Sequence, residues 1–138
     1  MAKDRYHYIV REALEKDGWT ITADPLKLEY GNAELEVDLG AEKLMAAEKE
    51  GQRIAVEIKG FAQPSKVYQF HEALGQYLTY RRALRYNNED RALFLAVSED
   101  IYKNFFARQQ MAIDAIQEDG LKLLVFNVEE KIIVQWIR

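Results

Sequence analysis

The sequence predicts an α/β fold: one domain spanning residues 1–138, with a mixed central sheet flanked by helices. Three observations predict it. Two stretches, residues 4–17 and 69–86, repeat apolar residues at helical spacing. "RALFLAVS" is an apolar run of strand length, dense enough to be buried on both faces. "KLMAAEKEGQRIAVEIKG" holds two strand-like runs around Glu50-Gly51-Gln52, the pattern of a hairpin. Helical and strand periods that alternate along one chain imply a sheet layered between helices.

Taken in order, Tyr6, Ile9, Val10, Ala13 and Leu14 set the apolar stripe of the first helix, with Asp4 as its N-cap and Gly18 as its stop. "WTITADPLKLEY" follows as a short strand broken at Pro25, and "NAELEVDLG" as an extended segment ending near Asp38. After the hairpin, Phe70, Ala73, Leu74, Tyr77 and Leu78 form the face of the second helix. "RALFLAVS" precedes a third helix over residues 99–119 that stops at Gly120. "LKLLVFNV", a turn at Glu129-Glu130, and "KIIVQWI" close with a second hairpin. The order is αβββαβαββ, an αβββαβ core plus a C-terminal helix and hairpin. The third helix gathers Tyr102, Phe105 and Phe106, a surface that could serve a homodimer or a companion protein, although core packing explains it as well.

Composition narrows the chemistry. A chain of 138 residues that is 49% hydrophobic and 12% aromatic has ample material for a core. No apolar run approaches the roughly 18 residues that span a bilayer. The charged N-terminal stretch reads as neither signal peptide nor anchor, so the expectation is a cytoplasmic protein with no membrane partner. The absence of cysteine excludes disulfides and thiolate sites, and two histidines, His7 and His71, leave little for a zinc site; both read as surface or boundary residues. With 23 acidic residues against 19 basic ones, any metal should be a hard, oxygen-bound cation such as Mg²⁺ or Mn²⁺. The formal charge of −4 weighs against non-specific nucleic-acid binding, but a local basic stripe can still serve.

The chemistry-bearing residues cluster around "RIAVEIKGF". Glu57 and Lys59, two apart in a strand, share a face about 7 Å apart. By themselves they fit the solvated face of an ordinary strand. A mid-chain strand is central, however, and a charge buried there needs a partner or a metal. Asp38, at the hairpin entrance, is brought toward the exit by antiparallel pairing; it could equally cap the turn "DLG", and Glu42 and Asp24 are rival second acids. Glu12, on the first helix, is a further candidate ligand. On the second helix Gln76 and Tyr80 stand four apart on one face, followed by the basic stripe Arg81, Arg82 and Arg85. That stripe suits a phosphate backbone, or else the dipole at a solvated helix end.

Asp38 followed by Glu57-Ile58-Lys59, on a hairpin between two helices, resembles the PD-(D/E)xK superfamily, whose core is restriction-endonuclease-like. Gln76-x-x-x-Tyr80 resembles the motif of its RecB-like branch. More narrowly, "VDLGAEKLMAAEKEGQRIAVEIKGF" and "FHEALGQYLTYRRAL" resemble the XisH family, the fdxN-element excision controlling factors, over nearly the whole chain. The resemblance implies that Asp38 and Glu57 bind Mg²⁺ or Mn²⁺ with the Ile58 carbonyl, and that Lys59 orients or activates the attacking water. It also implies that Gln76 and Tyr80 support the site or contact DNA. The proline that precedes the first acid in the superfamily motif is replaced here by Val37, and it is often absent in the superfamily. Two functions follow as expectations. One is a metal-dependent endonuclease-type protein of programmed DNA excision. The other is a non-catalytic accessory that binds DNA or a companion. The implied partners are DNA, an XisI-type companion factor and a site-specific recombinase.

Overall fold

A computed structural model describes residues 2–35 and 44–138. The first helix, α1 (Ala2–Lys16), ends where Gly18 takes φ +91° and the Trp19 N–H closes back on the Leu14 carbonyl at 3.0 Å. Strand β1 (Thr20–Leu26) runs through Pro25 rather than breaking there, a correction to the expected interruption. β1 is an edge strand with two register shifts, the setting in which a sheet tolerates a residue without an N–H. A small hairpin of β2 (Glu29–Tyr30) and β3 (Ala33–Glu34) follows. The extended segment expected up to Asp38 therefore begins at Ala33, and its continuation, with Asp38 and Glu42, lies outside the described residues.

The hairpin read from the sequence is β4 (Leu44–Lys49) and β5 (Gln52–Ile58), paired from Lys49↔Gln52 to Met45↔Val56. Its two linking residues, Glu50 and Gly51, both have positive φ (51° and 82°), which matches the right-handed strand twist. Next comes α2 (Lys66–Tyr86), which starts ahead of the expected residue 69 because the Ser65 side chain caps it by accepting from the Tyr68 N–H. Strand β6 (Ala92–Ser98) has six consecutive buried residues.

The expected third helix is not continuous. A short turn, α3 (Glu99–Ile101), runs into a π-helical turn (Tyr102–Phe106), and α4 (Gln110–Glu118) follows. Phe105 and Phe106 are 4% and 0% exposed, so these rings belong to the core rather than to an outer surface. Strands β7 (Leu123–Asn127) and β8 (Ile132–Ile137) close the chain.

The six-stranded sheet has the order β1-β4-β5-β6-β7-β8, with β5-β6-β7 parallel and the other pairs antiparallel, so the mixed α/β class is as expected. Ile54, Val56 and Ile58 pack with Ile9, Val10 and Leu14 of α1. Ala55 packs on the other face with Phe70, Ala73, Tyr77 and Tyr80 of α2. β5 is thus central and covered on both sides.

Candidate functional site at the exit of strand β5

Alternation along β5 sends Glu57 to the α2 face, the side of Ala55. Its register neighbour on β6 is Leu95, and the residue is 0% exposed. A carboxylate in that position stands out in the core, because acids are almost never fully buried unless paired. Its charge is felt by Tyr77. Burial pushes the Tyr77 phenol above its usual value; the Lys122 N–H and Arg81 pull it back, and Glu57 adds to the rise. The Tyr77 hydroxyl donates to the Leu93 carbonyl at 2.8 Å and accepts from the Lys122 N–H at 3.2 Å, tying α2 to the sheet beneath the site.

Beyond Ile58 the ladder continues for one more bond, from the Lys59 N–H to the Ala96 carbonyl at 3.1 Å. Lys59 is half-buried where the strand ends. Gly60 follows against the ring of Tyr6, where a β-carbon would meet ring atoms at 3.4 Å. Phe61 then takes φ +52° with its ring 3% exposed.

Helix α2 supplies the second layer. The Gln76 side-chain oxygen is buried with no hydrogen-bond partner among the described residues, and Tyr80 is 2% exposed in the core on this side. The expected basic stripe divides. Arg81 donates to the Asp119 carbonyl at 2.7 Å and lies 5.7 Å over the Tyr77 ring, so it closes the end of α4. Arg82 and Arg85 stay exposed, with Arg82 reaching Thr79 at 3.5 Å.

Two of the candidate acids are not brought to Glu57. Asp24 accepts from Arg11 at 2.6 Å and meets His7 Nε2 at 2.8 Å, so helix α1 holds its carboxylate. Glu12 pairs with Lys16 at 3.1 Å and lines a recess with Tyr8, Ile9, Val128 and Lys131. Both are engaged with α1, which packs on the sheet face opposite Glu57. His71 is exposed. Among the described residues no group of three or more His, Asp or Glu side chains gathers around a potential ion site. Asp38 and Glu42 lie outside those residues.

Sequence reasoning missed two contributors. Tyr77 counted only as an apolar position, although a phenol on a buried helix face usually needs a polar partner. The left-handed backbone of Phe61 left no signal, since "KGF" carries no turn residue beyond Gly60.

Fold and site define a mixed-sheet α/β protein that holds a buried glutamate, with a lysine two residues later, at the end of a central parallel-paired strand. The chain belongs to the XisH family: the family model described as XisH protein matches residues 1–134. It is similar to the crystal structure of an fdxN element excision controlling factor protein from Anabaena variabilis, with 46% identity, 98% of this chain and 99% of that chain covered, and a TM-score of 0.88. An XisH family protein from Nostoc punctiforme PCC 73102 is similar at 44% identity, covering 98% and 100% of the two chains, again with a TM-score of 0.88. A search of the curated proteins finds no match.

Proposed function

We propose that this protein is a metal-dependent, endonuclease-type DNA-processing protein acting in or beside the excision of a programmed DNA element. The observation that carries the reading is Glu57, a fully buried carboxylate at the C-terminal end of a central strand, with Lys59 two positions on. Burying such a charge is costly unless it serves a partner or an ion. Ligands of open α/β sheets bind at such strand ends. With the separate β2–β3 hairpin set aside, the order α1-β1-β4-β5-α2-β6, three antiparallel strands and then a parallel one, supports a PD-(D/E)xK, restriction-endonuclease-like core. The description of the Anabaena relative as an excision controlling factor supports the biological setting.

The donor set suits a hard cation. Glu57, Asp38 and the Ile58 carbonyl offer only oxygen, and Mg²⁺ takes one or two carboxylates while keeping several waters. The buried side-chain oxygen of Gln76, without a hydrogen-bond partner among the described residues, is a further acceptor on the same side. Leu35 and Leu44, described residues on either side of Asp38 in the sequence, both pack in the α2-side core. Bound Mg²⁺ or Mn²⁺ would supply positive charge for the phosphoryl oxygens and a more acidic water. Glu57 and Asp38 would hold the ion. Lys59 would donate a hydrogen bond to the attacking water or to a phosphoryl oxygen as charge develops. Gln76 and Tyr80 would support this arrangement from α2, and Arg82 and Arg85 would hold backbone phosphates. Hydrolysis forms the bond from water oxygen to phosphorus and breaks the bond to one sugar oxygen, which takes up a proton. The products are a phosphate monoester and a free hydroxyl.

A second reading is a nuclease fold kept as a non-catalytic accessory that binds DNA or an XisI-type companion beside a recombinase. It is favoured by the lack of a three-ligand cluster among the described residues. Incubation with supercoiled and branched DNA in Mg²⁺ or Mn²⁺ separates the two. Cleavage by the wild type that Lys59→Ala and Asp38→Ala both lose supports the first. DNA binding by a wild type that never cleaves leaves the second.

A further inference from the structure

Among the described residues, four that are not glycine have positive φ: Glu50, Phe61, Asn88 and Lys131. Three of them have ordinary reasons. Glu50 sits in the β4–β5 turn, Lys131 in the β7–β8 turn, and Asn88 just past the end of α2. Phe61 alone is a buried aromatic residue outside any hairpin, and it stands two residues from Lys59. Strained backbone of this kind gathers where the surrounding structure must hold one group in one place.

The surroundings of Phe61 are built to hold it. Its ring meets Phe106 edge-on at 5.5 Å and Phe105 at 6.1 Å. Phe70 of α2 touches the same two rings at 5.6 and 5.9 Å, closing a four-ring cluster on the face to which Glu57 points. Phe105 and Phe106 are adjacent in the π-helical turn after β6, and wide turns of that sort are frequent at functional sites. On the near side, the Lys59 N–H bonds the Ala96 carbonyl, and Gly60 lies beside the ring of Tyr6. The backbone carrying Lys59 is therefore held by the sheet on one side and by the ring cluster on the other.

We propose that Phe61 is a positioning residue for Lys59: its left-handed backbone, clamped by Phe105 and Phe106, sets where the lysine side chain stands beside Glu57. The inference rests on the reading of Lys59 as the working lysine of the site. Phe61 would touch neither metal nor substrate and would act only through the chain it bends.

The test compares Phe61→Leu with Phe70→Leu, which removes a ring from the same cluster without touching the backbone next to Lys59. Protein carrying ¹³C-lysine reports the ε-CH₂ signal of Lys59 at one fixed pH, assigned with Lys59→Arg. DNA cleavage in Mg²⁺ is measured in parallel. The expected result is a displaced Lys59 signal in Phe61→Leu alone, at similar loss of Tm in both variants, and a kcat at least tenfold lower with KM for DNA unchanged. If Phe61→Leu does not fold, Phe61→Met carries the same comparison. A Lys59 signal that stays in place, or moves equally in both variants, overturns the proposal even where the wild type cleaves DNA. A signal displaced only in the Phe61 variant upholds it even where the wild type does not cleave, in which case the nuclease reading fails by itself.

Discussion

At the scale of single residues, Tyr77 ties helix α2 to the sheet. Tyr77→Phe should cost about 1–3 kcal/mol, because the Leu93 carbonyl and the Lys122 N–H lose their shared hydroxyl. That corresponds to a fall in Tm of roughly 3–9 °C, measured by thermal unfolding. The same phenol adds a pH dependence. Its folded-state pKa is raised above 10.0, so the unfolded chain loses its proton first. The stability this contributes is fully present below about pH 10 and is lost as pH rises through the folded-state value. Denaturant titrations of wild type at pH 9 and above should show that decline, and Tyr77→Phe should flatten it.

Among the elements, legibility in the sequence follows whether the cause is local. The β4–β5 hairpin was legible because alternating apolar residues and a glycine fix it within fifteen residues. Its turn is imperfect for the same local reason. Glu50 holds a left-handed conformation that asparagine adopts more readily, so Glu50→Asn should raise stability by about 0.5–1 kcal/mol in chemical denaturation. Two features were not legible. Pro25 breaks a strand only where its N–H would be needed, and nothing in "TITADPL" announces an edge position. Residues 99–119 keep helical spacing, yet the chain widens at Tyr102–Phe106 so that both Phe105 and Phe106 reach the core. That outcome depends on Phe61 and Phe70, distant in sequence.

On the scale of the whole molecule, the sheet divides the candidate residues. Glu57, Gln76 and Tyr80 collect with α2 on one face, and Asp24 and Glu12 stay with α1 on the other. Spacing alone could not assign those sides, since the choice depends on how each helix crosses the sheet. The same division predicts how the arginines behave toward DNA. Arg82→Ala and Arg85→Ala should each weaken binding across sequences and reduce the salt slope by about 0.9, read from titrations at several ionic strengths. Arg81→Ala should instead lower Tm, because its guanidinium is engaged at the Asp119 carbonyl. Every catalytic role proposed for these residues depends on a metal site at the exit of β5. The electron paramagnetic resonance signal of free Mn²⁺ during titration into wild type and Glu57→Gln tests for that site. Wild type should remove about one Mn²⁺ per chain from solution, and the variant should bind at least tenfold more weakly while remaining folded. A wild type that leaves the free Mn²⁺ signal untouched, or a variant that binds as well as wild type, would contradict it.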